Sequence, residues 1–267
     1  MRVMVLSSTV AVSLPAMHIH DWQLPPGIQA ICTTRVGGVS LAPYDSLNLG
    51  DHVQDNPHHV AQNRNLLKQQ LHSARPVFLK QVHGVDVLQL RPDAQDGAIA
   101  DACWTQESHL ACTIMVADCM PILLTDAKGT MVAAAHAGWR GLAHGVIENT
   151  VKTLCLESGA DPSELMVWLG PCIGPNAFEV GSDVRQAFLQ ADKTADRCFK
   201  DHPHNPHKYM ADLPALARGR LRSLGVLSTA GNDSSDAWCT VQQASKFFSY
   251  RRDGVTGRFA ACIWRTV

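Results

Sequence analysis

The sequence predicts an α/β (α+β) fold, a single layered domain in which mixed β-sheets are flanked by helices. Short apolar runs alternate with amphipathic segments throughout the chain beyond Met17. The most apolar stretch, residues 110–135, compresses three strand-like runs into quick succession. No low-complexity linker and no repeat with a period of about 20–50 residues interrupts the pattern. The 267 residues therefore read as one domain over 17–267 rather than two small ones. Long mixed strands with helices outside argue for layered sheets and against a doubly wound nucleotide fold.

The first sixteen residues stand apart. Arg2 precedes a mostly apolar stretch that resembles a secretory signal, but Ser7, Ser8 and Thr9 interrupt it and no clean small-x-small site follows Pro15. We read residues 1–16 as an N-terminal extension outside the fold, with Met17 as the natural start. Residues 28–34 then read as a strand ending at the Gly37-Gly38 turn. Asp55-Asn56-Pro57 supplies a capping side chain and a proline at the first helical position, and Val60, Leu67 and Leu71 share one face of the helix that follows. Residues 77–79 and 85–90 are strand-like, with His83-Gly84 between them. The buried strands come at 110–116, 122–125 and 131–135, with tight connections. After His136-Ala137-Gly138 one helix is expected over 139–157, carrying Leu142, Val146, Thr150 and Leu154 at i, i+4 spacing, with Gly159 as its C′ residue. A strand at 165–169 runs into the shaped loop Gly170-Pro171-Cys172-Ile173-Gly174-Pro175. Helices near 184–190 and 213–224 and strands at 226–229 and 259–264 complete the chain.

Composition excludes several function classes. Lys plus Arg number 23 and Asp plus Glu 24, and 46% of residues are apolar. That is ample for a core, with no charge excess opposing collapse. The near-neutral balance supplies no general counterion-release contribution, so no nucleic-acid partner is expected. No run of about 18 apolar residues suggests a membrane span. Nine cysteines, an odd number without a C-x-x-C pair, do not make a secreted disulfide framework and point to the reducing cytoplasm. The oligomeric state, monomer or weak dimer, stays open.

The common local signatures are absent: no G-x-G-x-x-G, no P-loop and no G-x-S-x-G elbow. Histidine and cysteine remain. His83, Cys119 and His136 each end a strand-like run beside turn-forming residues, and ends of neighbouring strands can converge on one point. Two imidazoles and a thiolate suit zinc and leave a fourth tetrahedral position open. The gaps of 36 and 17 residues match no short zinc motif, and the same residues equally describe a buried apolar-like thiol and two satisfied imidazoles.

The motifs nevertheless carry a strong resemblance. Residues 34–40 (Thr-Arg-Val-Gly-Gly-Val-Ser), Asn48-Leu49-Gly50, Asn63-Arg64, Gln81-Val82-His83-Gly84, Ala117-Asp118-Cys119-Met120-Pro121, His136-Ala137-Gly138-Trp139-Arg140-Gly141, residues 170–175, Phe178-Glu179-Val180-Gly181 and residues 248–254 resemble, in order, the signature series of the YfiH-like family. This is also called the laccase-domain or multi-copper polyphenol oxidase family. The resemblance covers about residues 17–267. It implies a layered fold with mixed sheets, zinc on His83, Cys119 and His136, and a purine nucleoside phosphorylase. Members are described as cleaving adenosine, inosine, guanosine and S-methyl-5′-thioadenosine with phosphate, and as deaminating adenosine.

Phosphorolysis needs phosphate held against C1′ of the ribose, so cations should line the pocket. Arg35, Arg64 and Arg140 lie in motif segments and match phosphate oxygens; surface salt bridges are the plainer reading of each. Asn48 and Gln81 are candidates for orienting ribose or base, although turn amides more often bond backbone. Deamination needs a proton carrier, for which Asp118 is the candidate, with a purely turn-forming role as its alternative. Copper is the rival cofactor, in a polyphenol oxidase. However, the only His-x-His pairs are His18-Ile19-His20 and His202-Pro203-His204, too few for a trinuclear centre. A metal-free thiol hydrolase or amidase acting on a cell-wall precursor, with Cys119 as nucleophile and His83 or His136 as base, uses the same parts.

Overall fold

The structure is a computed structural model and describes residues 17–19, 22–72 and 74–266. The extension over residues 1–16, and the expectation about it, lie outside the described residues, as does His20.

Two sheets form the middle of the molecule. The first has five strands in the order Met17–His18, Ile28–Cys32, Phe259–Arg265, Leu110–Val116 and Arg75–Phe78, of which only the last pairing is parallel. The second has six, in the order Ser228–Gly231, Leu165–Leu169, Met120–Asp126, Val132–Ala137, Ala102–Thr105 and Val87–Gln89, parallel at both edges and antiparallel between. Side chains alternate across a strand, and the fully buried run Leu110–Val116 shows what that achieves here. Cys112, Ile114 and Val116 face Leu123, Val132, Ala134 and Trp168 of the second sheet. Ala111 and Met115 face the other way, toward Leu67 and the helix Pro57–Gln70. The outer face of the second sheet, through Ile122, Leu124, Ala133 and Ala135, packs on Val151 and Leu154 of the helix Val146–Ser158 and on Leu216 and Leu221 of the helix Leu213–Ser223. Helix, sheet, sheet and helices make four layers. Strands covered on both faces read as continuous apolar runs, which explains why the middle of the sequence lacks alternation.

Local signals act where expected. Asn56 caps the helix Pro57–Gln70 by accepting from the His58 backbone N–H at 2.9 Å, with proline in the first turn. Gly159 ends the helix Val146–Ser158 in the left-handed region. The single helix expected over 139–157 is instead two, Trp139–His144 and Val146–Ser158, joined at Gly145 with φ 101°. A left-handed residue ends an α-helix, and glycine adopts that conformation without a Cβ penalty. The strand expected at 226–229 lies at Ser228–Gly231, because Val226 donates its N–H to Leu221 and closes the preceding helix. A small antiparallel sheet of Glu179–Gly181, Lys208–Ala211 and Phe199–Asp201 went unread, its strands being short and largely polar.

The tight succession of strands is not a hairpin. Residues 117–119 carry the chain from the first sheet to the second, and residues 79–86 make the same passage between Arg75–Phe78 and Val87–Gln89.

Candidate active site

The two passages meet. One carries His83, the other Cys119, and His136 joins them from the strand Val132–Ala137, where it pairs with Pro121. The donor atoms of the three side chains lie within 4.8 Å of one another. Cys119 Sγ stands 3.7 Å from His83 Nε2, and the two imidazoles meet edge to face at 4.8 Å between centroids. His83 and Asp118 both take positive φ, 61° and 94°, conformations that side chains adopt rarely and that the two passages impose. Gly138 makes room: a Cβ there would stand 2.8 Å from Cys119 Sγ and 2.9 Å from His83 Cδ2.

Asp101 organises this group from beneath. Fully buried, its carboxylate accepts the backbone N–H groups of Val82 at 3.0 Å, His83 at 2.9 Å and Gly84 at 2.7 Å. The same group holds His136 Nδ1 at 2.8 Å. One side chain therefore fixes both the His83 loop and the ring orientation of His136, turning Nε2 toward the other donors. Burial raises the Asp101 pKa, but the hydrogen bonds from His136, Gly84 and Val82 outweigh it and hold the group ionised.

The thiol is strongly activated. Burial pushes its pKa up, yet the charge of His136 and hydrogen bonds from His136 and His83 bring it down to about 6. In return, burial lowers His136 while the Cys119 charge and the Asp101 hydrogen bond raise it to about 9. Without metal these opposed shifts favour a thiolate beside an imidazolium at neutral pH. A thiolate and two imidazoles, one backed by a carboxylate, are the donor chemistry of an open zinc centre. Among the described residues this is the one group of three or more His, Cys, Asp or Glu donors within reach of a single ion.

The group opens into a cavity of about 510 Å³, a size that suits a small organic ligand. Trp139, Ile173, Phe178 and Tyr250 give it apolar and aromatic walls, and Arg140, Arg251 and Arg258 give it charge. Arg140, exposed, lies over the Trp139 ring at 4.4 Å.

The other expected residues divide. Gln81 lines the cavity, but its amide both donates to the Met115 carbonyl at 2.8 Å and accepts from the Met115 N–H at 3.0 Å. Asp118 also lines it, with one oxygen accepting from the Thr240 hydroxyl and the other from the Arg251 N–H, both at 2.6 Å. Arg35, Asn48 and Arg64 are absent from the cavity wall, contrary to expectation. Arg35 donates to the carbonyls of Asp45 and Ala244. Asn48 bonds Gly50, Asp55 and the Arg258 N–H. Arg64 donates to the Leu49 carbonyl, pairs with Asp51 and stacks on Phe78. Of the two His-x-His pairs, the described one is engaged by the chain: His202 accepts from the His204 N–H at Nδ1 and pairs with Glu179 through Nε2. Sequence reasoning missed Asp101, which has no motif around it, and Arg258, which reads as an ordinary cation before a strand.

Known proteins resemble the chain over most of its length. The family described as multi-copper polyphenol oxidoreductase laccase matches residues 29–266. A Pseudomonas aeruginosa protein named purine nucleoside phosphorylase is 50% identical over 91% of this chain and 96% of its own. The Escherichia coli purine nucleoside phosphorylase YfiH is 47% identical over 92% and 97%. A solved Neisseria meningitidis structure superposes with a TM-score of 0.86 at 43% identity, covering 92% of this chain and 98% of that one. YlmD from Geobacillus stearothermophilus follows at 0.79 and 30%, covering 94% and 98%. With its His-Cys-His group and two-sheet fold, the chain belongs to the multi-copper polyphenol oxidoreductase laccase family, the YfiH-like proteins.

Proposed function

We propose that this protein is a zinc-dependent purine nucleoside phosphorylase. It converts adenosine, inosine, guanosine and S-methyl-5′-thioadenosine with inorganic phosphate into free base and ribose 1-phosphate or its methylthio analogue, and it also deaminates adenosine. One observation carries the reading: a single cavity joins the His83, Cys119 and His136 donors to aromatic walls and to the guanidinium groups of Arg140 and Arg258. The names of the Pseudomonas and Escherichia relatives support it. Nine cysteines, all free, suit work in the cytoplasm, and no helix among the described residues is long and apolar enough to cross a membrane.

In phosphorolysis an oxygen of phosphate bonds to C1′ as the bond from C1′ to the purine nitrogen breaks. The bonding pair leaves on the purine, which takes a proton. Trp139, Phe178 and Tyr250 supply aromatic surface for the base, and the guanidinium groups hold the anion beside C1′. Asp101 keeps His136 and the His83 loop in place throughout. When bound, zinc supplies a Lewis acid and a water acidified toward neutral pH, which is what deamination requires. Asp118 takes part in proton transfer only by releasing Thr240 or Arg251.

The activated thiol favours a second reading, a metal-free hydrolase with Cys119 as nucleophile. One assay separates the two. Protein purified without added metal is assayed for zinc and incubated with inosine. Hypoxanthine formed only with phosphate, and lost on chelation, supports the phosphorylase; hypoxanthine without phosphate indicates hydrolysis. Copper-dependent phenol oxidation that survives changes at His202, His204 and His207 would restore the oxidase.

A further inference from the structure

The geometry points to Arg258 as the oxyanion-binding residue of the cavity, presenting its Nε and Nη2 edge to a phosphate group. The inference deepens the phosphorylase reading and rests on it for the identity of the anion.

The other arginines narrow the choice. Arg218 bonds the carbonyls of residues 229–232, and Arg252 bonds three carbonyls and the Asp253 carboxylate. Arg251 reaches the carbonyls of Ala177 and Glu179. Arg258 differs. Only its Nη1 is engaged, donating to the Thr256 and Gly257 carbonyls at 3.0 and 2.9 Å. Among the described residues no acceptor meets Nε or Nη2, and no carboxylate lies within ion-pair distance. That edge of a guanidinium is the two-donor fork that matches a phosphate.

Its setting is built as well. Arg258 donates its backbone N–H to Asn48 Oδ1 at 2.8 Å, and its carbonyl accepts from the Leu49 N–H at 3.0 Å. The side-chain stem lies on Gly50, where a Cβ would stand 2.8 Å from its Cγ. The segment Asn48-Leu49-Gly50 thus positions the arginine from which the ligand is held and does not itself enter the cavity. His52, four residues past Asn48, lines the same wall. Cys119 and Asp118 supply negative charge nearby without pairing with the guanidinium, so its Nε and Nη2 edge is left for an arriving anion to complete. The ligand class is a phosphate, either inorganic or carried at C1 of a sugar phosphate in the reverse direction.

The test compares wild type with Arg258→Gln and Arg258→Lys in the metal-loaded protein. In Arg258→Gln the KM for phosphate should rise roughly ten- to a hundredfold, the loss expected for a charge-assisted pair of hydrogen bonds. The KM for inosine should stay within about threefold. Arg258→Lys should fall between. In the reverse direction the KM for ribose 1-phosphate should rise alongside that for phosphate; a rise in only one identifies the form the residue serves. Titration with inorganic phosphate alone, without nucleoside, should weaken in the same order. If wild type releases no hypoxanthine, the phosphorylase reading fails, and the subsite is then judged on this titration. Equal phosphate binding by wild type and Arg258→Gln, or none by wild type, overturns the assignment. Should the glutamine variant not fold, phenylglyoxal modification of wild-type Arg258, mapped by peptide mass, decides: protection by phosphate supports the subsite and its absence overturns it.

Discussion

The cavity around Cys119 and the loop network of residues 35–64 use similar side chains to opposite ends. Around Cys119, His83, His136, Arg140 and Arg258 line one cavity, and the buried carboxylate of Asp101 fixes His136 and the His83 loop. In the network, Asn63 donates to Ser40, Ser46 and Asn48 and accepts from the Val39 N–H, and Arg35 and Arg64 are engaged by carbonyls and carboxylates. Both regions belong to the motif series. What distinguishes a binding residue from a scaffold residue here is whether its hydrogen-bonding capacity is already filled by the chain.

Of the two regions the cavity is the more sensitive to substitution, above all at its thiol. Cys119→Ala should lose zinc, read by metal analysis, and lower phosphorolysis more than about a hundredfold, beyond the usual cost of removing an outer-shell partner; full activity would remove the metal centre from the mechanism. Asp101→Asn keeps the shape but weakens the hold on His136, so metal affinity or activity should fall roughly ten- to a hundredfold. A metal titration showing no change would mean the carboxylate serves only the backbone of residues 82–84. In the metal-free protein, alkylation of Cys119 by iodoacetamide should accelerate as pH rises through about 6, because the thiolate is the reactive form, and zinc should suppress it. Cys262, pushed up to about 12 by burial, should stay inert throughout. A Cys119 midpoint at the ordinary thiol value of 9.0 would mean that the two histidines do not act on it. The smallest effect on catalysis is expected from Asn63→Ala, which should cost about 2–4 kcal/mol of stability by leaving several buried partners unpaired. Activity per folded molecule should hold, as thermal melting and specific activity measured together would show.

The three donors were legible because histidine and cysteine are chemically distinctive and stood at the ends of apolar runs. Their supports were not. Asp101 enters a strand, Ala102–Thr105, that the pattern of residues did not reveal, and a carboxylate that bonds three backbone N–H groups leaves no trace in spacing. Arg35, Asn48 and Arg64 looked like ligand binders because a turn amide or guanidinium has the same sequence appearance whether it grips backbone or substrate. The helix break at Gly145 escaped because glycine inside a helical pattern costs only about 1 kcal/mol and is often tolerated; here Gly145 takes the left-handed conformation instead. Mixed sheets layered with helices were legible in outline, whereas the passage of the chain between sheets at residues 117–119 was not, since buried runs in close succession do not say which sheet each will join.

Those passages have a mechanical consequence. His83 and Cys119 both sit on cords that tie the five-stranded sheet to the six-stranded one, while His136 is woven into the six-stranded sheet itself. An ion gripping all three would act as a rivet through the seam, adding to the hydrogen bonds by which Asp101 already ties the His83 loop to His136. Because binding to the folded form alone shifts the unfolding equilibrium, the same contacts that serve chemistry would also clamp the sandwich. Loss of the metal would then be felt as a loosening between layers as much as a loss of turnover.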